Sequence, residues 1–251
     1  MNIETLIAGF QPISLAEMDA VRLMQRTDTK YLFSRTLLAQ VIEGIAGEYR
    51  VLEVNGVRCN RYRTLYLDTS ERSFYIQHQN GKRNRSKVRF RKYVDSDLCF
   101  LEVKRKTNKD ETIKQRIVVD DFREELSEEQ QEFVLNHAGV EDHLLPRLWN
   151  TFKRITFVNN ERQERLTMDY DLEFSFGDQR LELHDVVIAE LKQERMDRLS
   201  PFAEAAKKMK IRPTRLSKYC IGSAMLNKHL KANNFKPKIR TIKKLSNDLV
   251  A

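Results

Sequence analysis

Two consecutive segments, SKVRFRKYV at residues 86–94 and LCFLEVKRK at residues 98–106, decide the predicted fold. In both segments charged residues alternate with apolar ones. The alternating charged residues are Lys87, Arg89 and Arg91 in the first segment and Glu102, Lys104 and Lys106 in the second. Side chains two positions apart on a β-strand point to the same side. Each segment is therefore predicted to form a strand with one charged face and one apolar face.

The same alternation recurs along the chain. The further charged positions are Arg26, Asp28 and Lys30; Arg61 and Arg63; Lys114 and Arg116; Arg165 and Asp169; and Glu190 and Lys192. Eight or more strands with short turns favour an α+β fold, an antiparallel sheet or barrel with helices packed outside. We predict a closed antiparallel β-barrel (tunnel) of about eight strands, because closure places the charged face inside. The charged face is expected to line the tunnel.

A sheet with one solvated face is the alternative explanation, since antiparallel sheets often have one. It fits the whole set poorly, because like charges opposite one another on neighbouring strands destabilise a sheet by about 0.2–1 kcal/mol per pair. Basic side chains clustered over many strands therefore favour a bound polyanion.

Composition narrows the class of protein. The 251 residues carry 45 Lys+Arg against 36 Asp+Glu, a net charge of +9, which points to an anionic partner. Three distant cysteines form neither a disulfide framework nor a zinc motif, and no apolar run approaches the length of a membrane span. We expect a cytoplasmic protein with one domain over residues 1–251, a core at 26–220 and a basic tail at 231–251. The tail is either a solvated terminus or an electrostatic arm.

Acidic residues among the bases add a second chemistry. Carboxylates beside bases can hold Mg²⁺ or Mn²⁺ against phosphate oxygens, as phosphoryl transfer requires. The acids concerned are Asp28, Glu102, Asp169 and Glu190. Internal ion pairing with neighbouring bases is the alternative role for each of them.

These segments resemble the VTC domain family of the triphosphate tunnel metalloenzyme (CYTH-like) superfamily. The matching stretches are RTDTKY at 26–31, RTLYLDT at 63–69, KVRFRKY at 87–93, FLEVK at 100–104, KQR at 114–116, Pro146 with Lys153 and Arg154, RLTMD at 165–169, ELK at 190–192 and SKYC at 217–220. The resemblance implies a tunnel that binds triphosphate and inorganic polyphosphate. In catalytic members of the family the domain makes polyphosphate from ATP with a divalent metal.

The resemblance also implies roles for individual residues. The catalytic phosphate ligands that it implies are Lys30, Arg89, Arg91, Lys104, Arg154 and Lys218, with Ser217 beside them. It implies that Lys114 and Arg116 extend the basic path along the tunnel and that Glu190 is the metal ligand. The strand alternation adds Arg61, Arg63, Lys87 and Lys192 as phosphate-binding residues and Glu102 as a second metal ligand. One motif departs from the superfamily, because Arg26-x-Asp28-x-Lys30 stands where Glu-x-Glu-x-Lys is usual. The missing acid weakens the case for a two-metal hydrolase.

The expected activity is therefore metal-dependent phosphoryl transfer on ATP or triphosphate with Mn²⁺ or Mg²⁺, as in polyphosphate synthesis. A triphosphatase and a non-enzymatic polyphosphate- or inositol-phosphate-binding module are the alternatives. Nucleic acid is disfavoured as a partner, because these strands lack the exposed aromatics that RNA binders interleave with their bases. Members of the family attached to membrane segments leave a membrane-protein partner open. No HExxH, GxSxG, Walker A or GxGxxG motif occurs.

Overall fold

The computed structural model of the protein describes residues 2–20, 27–109 and 111–247. Arg26, the first charged position of the predicted alternation, and residues 248–251 of the predicted tail lie outside the described residues. Within the described ranges, no helix combines the length and the apolar composition needed to cross a lipid bilayer.

Strands dominate the described chain. They are β1 (Pro12–Ile13), β2 (Thr27–Ser34), β3 (Arg50–Leu52), β4 (Asn60–Asp68), β5 (Arg85–Tyr93), β6 (Leu98–Lys106), β7 (Thr112–Val119), β8 (Leu145–Asn159), β9 (Glu164–Phe176), β10 (Gln179–Leu183), β11 (Val186–Gln193) and β12 (Pro213–Thr214). The α-helices are α1 (Ile3–Ala8), α2 (Leu15–Ala20), α3 (Leu38–Glu43), α4 (Ser73–Gln79), α5 (Glu128–Ala138), α6 (Pro201–Lys208), α7 (Lys218–Leu226) and α8 (Lys236–Asn247).

All twelve strands belong to one sheet. Its hydrogen-bonded path runs β12-β2-β11-β9-β8-β4-β5-β6-β7, while β10 pairs with β9, β3 with β8, and β1 with β3. The pairings along this path are antiparallel, and β1 and β3 are parallel.

The prediction of a closed barrel of about eight strands is wrong. Within the described residues, the end strands β12 and β7 are not paired with each other, so the sheet is open. One reason lies in β12, which has only two residues, Pro213 and Thr214. Proline has no N–H to donate to a further strand, so this edge offers little for closure. The chain then leaves the sheet and begins α7.

The convex face of the sheet carries two apolar cores. Side chains of β2, β8, β9 and β11 pack there against α1, α3 and α6, with Phe33 and Phe202 among the fully buried residues. Side chains of β4, β5 and β6 pack against α5, and Val88 and Phe90 are completely buried in that layer. The predicted apolar face of residues 86–94 therefore lies in this core.

The concave face is divided between a third core, a cavity, and a small fourth core of Ile13, Met18, Leu52 and Val158 beside the cavity. At one end α7 packs inside the curve, where Tyr219 and Cys220 contact the apolar residues of β4, β8 and β9. The prediction that the helices lie outside is therefore wrong for α7. Gly222 permits this close approach, because a Cβ there would lie 2.4 Å from the Phe174 ring.

The predicted basic tail is largely helical. Ile239, Ile242 and Leu245 of α8 pack against the core around α7, so residues 236–247 are joined to the domain. The bases of α8 are separated from the cavity, since none of them lines it among the described residues.

Candidate functional site

A cavity of about 580 Å³ occupies the rest of the concave face. Side chains from β2, β4, β5, β6, β7, β8, β9 and β11 line it, so the sheet curves around it. Among the described residues its lining includes twelve lysines and arginines but only three carboxylates, Asp95, Asp169 and Glu190. The basic side chains are Lys30, Arg61, Lys87, Arg89, Arg91, Lys104, Lys114, Arg116, Arg154, Arg165, Lys192 and Lys218. The cavity is therefore strongly electropositive.

Most of the predicted site residues meet here. The cavity brings together Lys30, Lys87, Arg89, Arg91, Lys104, Lys114, Arg116, Arg154, Glu190, Lys192, Ser217 and Lys218, with Arg61 at its rim. Glu102 is buried behind the lining, next to Arg89. Arg63 is not part of the cavity.

The placement of Arg63 follows from β4. Tyr62 and Tyr66 of this strand face the cavity, so Arg63 points to the opposite side of the sheet. There its guanidinium lies 4.4 Å from the centre of the Trp149 ring. Arg61, two positions from Arg63, lies on the same face of the strand. It pairs with Asp95 at a distance of 2.8 Å and remains largely exposed. The charged alternation of β4 is thus the outer face of the strand.

Glu190 lies on one wall of the cavity, between two lysines. Its carboxylate is 3.6 Å from Lys30 Nζ and 3.3 Å from Lys192 Nζ. Burial by itself raises the pKa of Glu190, but Lys192 and Lys30 outweigh this and hold the pKa well below its usual range. Lys104 interacts with Glu190 from β6, which is five places away along the sheet, so the two walls face each other.

Glu102 is held more tightly on the other wall. Arg89 donates to its Oε2 through Nε at 2.8 Å and Nη2 at 2.7 Å, and Lys114 contacts Oε1. Burial raises the pKa of Glu102, yet Arg89, Arg91 and Lys114 bring it far below the usual value. Both oxygens of this carboxylate are therefore committed to bases.

Asp169 forms a third ion-pair cluster. Arg154 donates through Nη2 to Asp169 Oδ2 at 2.7 Å and through Nε to Asp169 Oδ1, and Lys218 contacts Oδ2. Burial raises the pKa of Asp169, but these two bases lower it to about 2. Asp169 lies directly opposite Arg154 in the register of the two strands. Next to this pair a β-bulge places two residues of β9, Asp171 and Leu172, opposite Phe152 of β8. The bulge shifts the alternation of β9, so Asp169 and Leu172 both face inward.

Three further bases of the cavity lie farther from the carboxylates than the bases in these clusters. Within the described residues, Lys87, Arg91 and Lys104 form no ion pair shorter than 4 Å. Burial, reinforced by the charges of Lys30 and Lys104, lowers the pKa of Lys87 to about 7. Burial also lowers the pKa of Lys104 to about 8 and that of Lys218 to about 7. The free cavity holds more positive charge than its own carboxylates can neutralise.

The donor set fits one divalent cation at Glu190 rather than at Glu102. The contacts of Glu190 are ion pairs longer than 3.2 Å, and its register partner Thr167 has a buried hydroxyl with no hydrogen-bond partner among the described residues. Mg²⁺ is commonly bound by one or two carboxylates together with substrate phosphates. Glu102 does not fit, because Arg89 and Lys114 already occupy its oxygens.

Several cavity residues were not assigned a role from the sequence. Arg165, Thr156 and Thr167 line the wall beside Glu190, and the alternation of residues 165–169 was the available signal for the first and last of these. The aromatic residues Tyr62 and Tyr66 gave no signal, because the adjacent arginines of β4 indicated the wrong face of the strand.

Comparisons with known proteins agree with this geometry. The family model described as the VTC domain matches residues 25–227. No curated protein sequence matches the chain.

Solved structures give more distant similarities. A candidate adenylyl cyclase from Hippeastrum, reported to have a dominant triphosphatase activity, is 14% identical with a TM-score of 0.50, over 81% of this chain and 97% of that chain. A candidate adenylate cyclase from Bacillus halodurans is 13% identical with a TM-score of 0.48, over 78% of this chain and 96% of that chain. Another candidate adenylate cyclase, from Vibrio parahaemolyticus, is 13% identical with a TM-score of 0.44, over 77% of this chain and 95% of that chain. At such identity the Hippeastrum likeness shows a shared fold alone.

Proposed function

Because this chain belongs to the VTC domain family, we propose that it transfers phosphoryl groups from ATP to inorganic polyphosphate in the basic cavity. The observation that carries the proposal is the charge of the lining, with twelve bases against three carboxylates. Phosphate chains are polyanions, so they supply the negative charge that the cavity lacks. A volume of about 580 Å³ lies within the range of about 300–1,000 Å³ typical of small-molecule sites.

The bases without an acid partner support phosphate as the ligand. Burying a charge without a counter-ion is costly, so such groups are expected where a ligand supplies the counter-charge. Lys87, Lys104 and Arg91 meet this description from β5 and β6. A bound triphosphate would raise the lowered pKa values of the lysines and restore their full charge.

The other phosphate ligands are held ready by carboxylates. Arg89 is fixed by Glu102 and Arg154 by Asp169, so each guanidinium has a defined orientation. An arginine fork can grip two phosphate oxygens at once. Lys30 and Lys218 complete the proposed catalytic set from β2 and the first turn of α7.

Glu190 is the residue that would hold a divalent cation, with the Thr167 hydroxyl beside it. When bound, Mg²⁺ or Mn²⁺ would neutralise charge on the phosphate oxygens. Glu102 is left out of this proposal, and its part is to orient Arg89.

The chain's own residues account for the rest of the mechanism. Phosphoryl transfer passes through a loose transition state whose charge is spread over the equatorial oxygens. Lysine and arginine side chains from opposite walls would stabilise that charge and align the donor with the acceptor. The terminal phosphate of a polyphosphate chain is already an anionic nucleophile, so no side chain is needed to remove a proton.

The test is incubation of the purified protein with ATP and Mn²⁺ or Mg²⁺, measuring long-chain polyphosphate and free phosphate in the same samples. Polyphosphate that appears with metal and not with EDTA supports the proposal. Free phosphate without chains would replace it by triphosphatase activity. Neither product, together with tight polyphosphate binding, would make the protein a binding module.

A further inference from the structure

Two stacked aromatic rings lie beneath the bases of the cavity. Tyr62 of β4 and Phe152 of β8 are cross-strand partners, and their ring centres are 5.1 Å apart with an angle of 6° between the planes. Both side chains are buried, with 8% and 3% of their surface exposed. They form one continuous aromatic surface on the concave side of the sheet.

Three proposed phosphate ligands rest on these two rings. Lys218 Nζ lies 3.6 Å from the centre of the Phe152 ring. The guanidinium carbon of Arg154 is 5.0 Å from the Tyr62 ring and 5.3 Å from the Phe152 ring. That of Arg91 is 5.7 Å from both rings. All these distances fall within the range of about 6 Å over which the negative face of a ring attracts a cation.

The rings offset part of the repulsion among Arg91, Arg154 and Lys218, which the ion pairs of Asp169 do not remove. Three like charges share this part of the cavity, and Asp169 pairs with Arg154 and Lys218 but not with Arg91. The polar contact of Arg91 within the described residues is a donation from Nε to the Thr64 hydroxyl at 3.3 Å. Glu102 attracts this buried guanidinium from a longer distance without an ion pair, and the two aromatic faces are the negative groups that lie directly against it.

A ring and a carboxylate hold a cation in different ways. A carboxylate takes some of the N–H donors of the cation, as Asp169 takes Nε and Nη2 of Arg154, and only the remaining donors stay available to a phosphate. A ring attracts the charge through its face and accepts no conventional hydrogen bond, so the donors stay available. The aromatic surface can thus orient a guanidinium without competing with the substrate.

We propose that Tyr62 and Phe152 are positioning residues that hold Arg91, Arg154 and Lys218 towards a bound phosphate chain. The inference rests on the proposed function, because it assumes that these three bases bind phosphate.

The experiment measures triphosphate binding by calorimetry in EDTA, which removes any contribution from metal. Phe152→Leu retains apolar bulk and removes the ring, whereas Phe152→Tyr keeps the ring. Phe174→Leu is the matched control, because Phe174 is buried in the same core and contacts no cation among the described residues. Thermal unfolding of each variant monitors stability separately.

Phe152→Leu should weaken triphosphate binding at least about tenfold, which corresponds to about 1.4 kcal/mol. Phe152→Tyr should bind within about twofold of wild type, and Phe174→Leu should lose stability without losing affinity. If Phe152→Leu does not fold, Tyr62→Leu replaces it, with Tyr62→Phe as the variant that restores the ring. Folded ring-less variants that bind like wild type would overturn the inference. A wild-type protein that binds no triphosphate would instead overturn the proposed function.

Discussion

Replacing Arg91 with lysine distinguishes shaped phosphate recognition from general basicity, because the substitution keeps the charge and removes the planar fork. Arg91 faces the cavity from β5 and is only 6% exposed. Within the described residues its Nη groups make no hydrogen bond, so both are available to phosphate oxygens.

The size of the effect follows from the number of hydrogen bonds lost. A lysine in this place can reproduce one contact of a two-pronged grip but not both. A hydrogen bond to a charged group contributes about 1.5–3 kcal/mol, so we expect triphosphate affinity to fall about ten- to a hundredfold. The substitution keeps the charge only below about pH 7, because a lysine buried in this cavity is expected to have a lowered pKa, as Lys87 and Lys218 do at about 7. The loss should therefore grow as pH rises from 7 to 8, since arginine stays charged and the introduced lysine does not.

Calorimetric titration of triphosphate in EDTA, at one ionic strength, measures this loss. Arg63→Lys is the matched control on the neighbouring strand, since Arg63 lies over Trp149 on the opposite face of the sheet. Arg240→Lys, on the exposed side of α8, is the control for surface charge. Equal affinities for wild type and the three variants would refute the reasoning. In that case the cavity would act by charge alone, with a response to salt but not to guanidinium geometry.

Three further outcomes are expected. Glu190→Gln should reduce metal-dependent turnover by more than about 100-fold, since losing a group that only supports a metal ligand already costs about 10–100-fold. Triphosphate binding in EDTA should stay the same or become tighter. Unchanged turnover at saturating metal would assign Glu190 to ion pairing. The folded-state pKa of Lys87 is lowered to about 7, so this side chain loses its charge as pH rises through 7. Lys87→Arg should therefore bind triphosphate more tightly than wild type at pH 8–9 but not at pH 6. Parallel pH profiles of affinity for the two proteins would contradict this. Gly222→Ala should lower the free energy of unfolding by about 1–3 kcal/mol in urea titrations, because the new Cβ would overlap the Phe174 ring. An unchanged midpoint of urea unfolding would contradict this and show that the core adjusts.

The strands that build the cavity were predictable from local patterns. In residues 86–94 the period of two separated the apolar side chains of the convex core from the bases of the cavity, and the structure agrees. The alternation also put Lys30, Lys104 and Glu190 on inward faces. Such predictions succeed because the two faces of a strand differ in solvation, and that difference is written in consecutive residues.

Other assignments failed where the pattern had two meanings. On β4 the arginines alternate as clearly as on β5, yet Tyr62 and Tyr66 take the inward face. Large aromatic side chains with polar tips suit either environment, so the sequence of β4 did not specify which face of the strand points into the cavity. The role of Glu102 was equally open, because the bases that occupy its oxygens come from two neighbouring strands.

The sequence by itself determined the period of two and the charged face in segments such as residues 86–94 and 98–106, since these properties depend on side-chain chemistry alone. Only the tertiary structure decided that the sheet stays open between β12 and β7. It also decided which carboxylates are already neutralised and which bases lie on the Tyr62 and Phe152 rings. Those outcomes depend on register, a β-bulge and burial among residues far apart in the chain, and local periodicity carries no record of them.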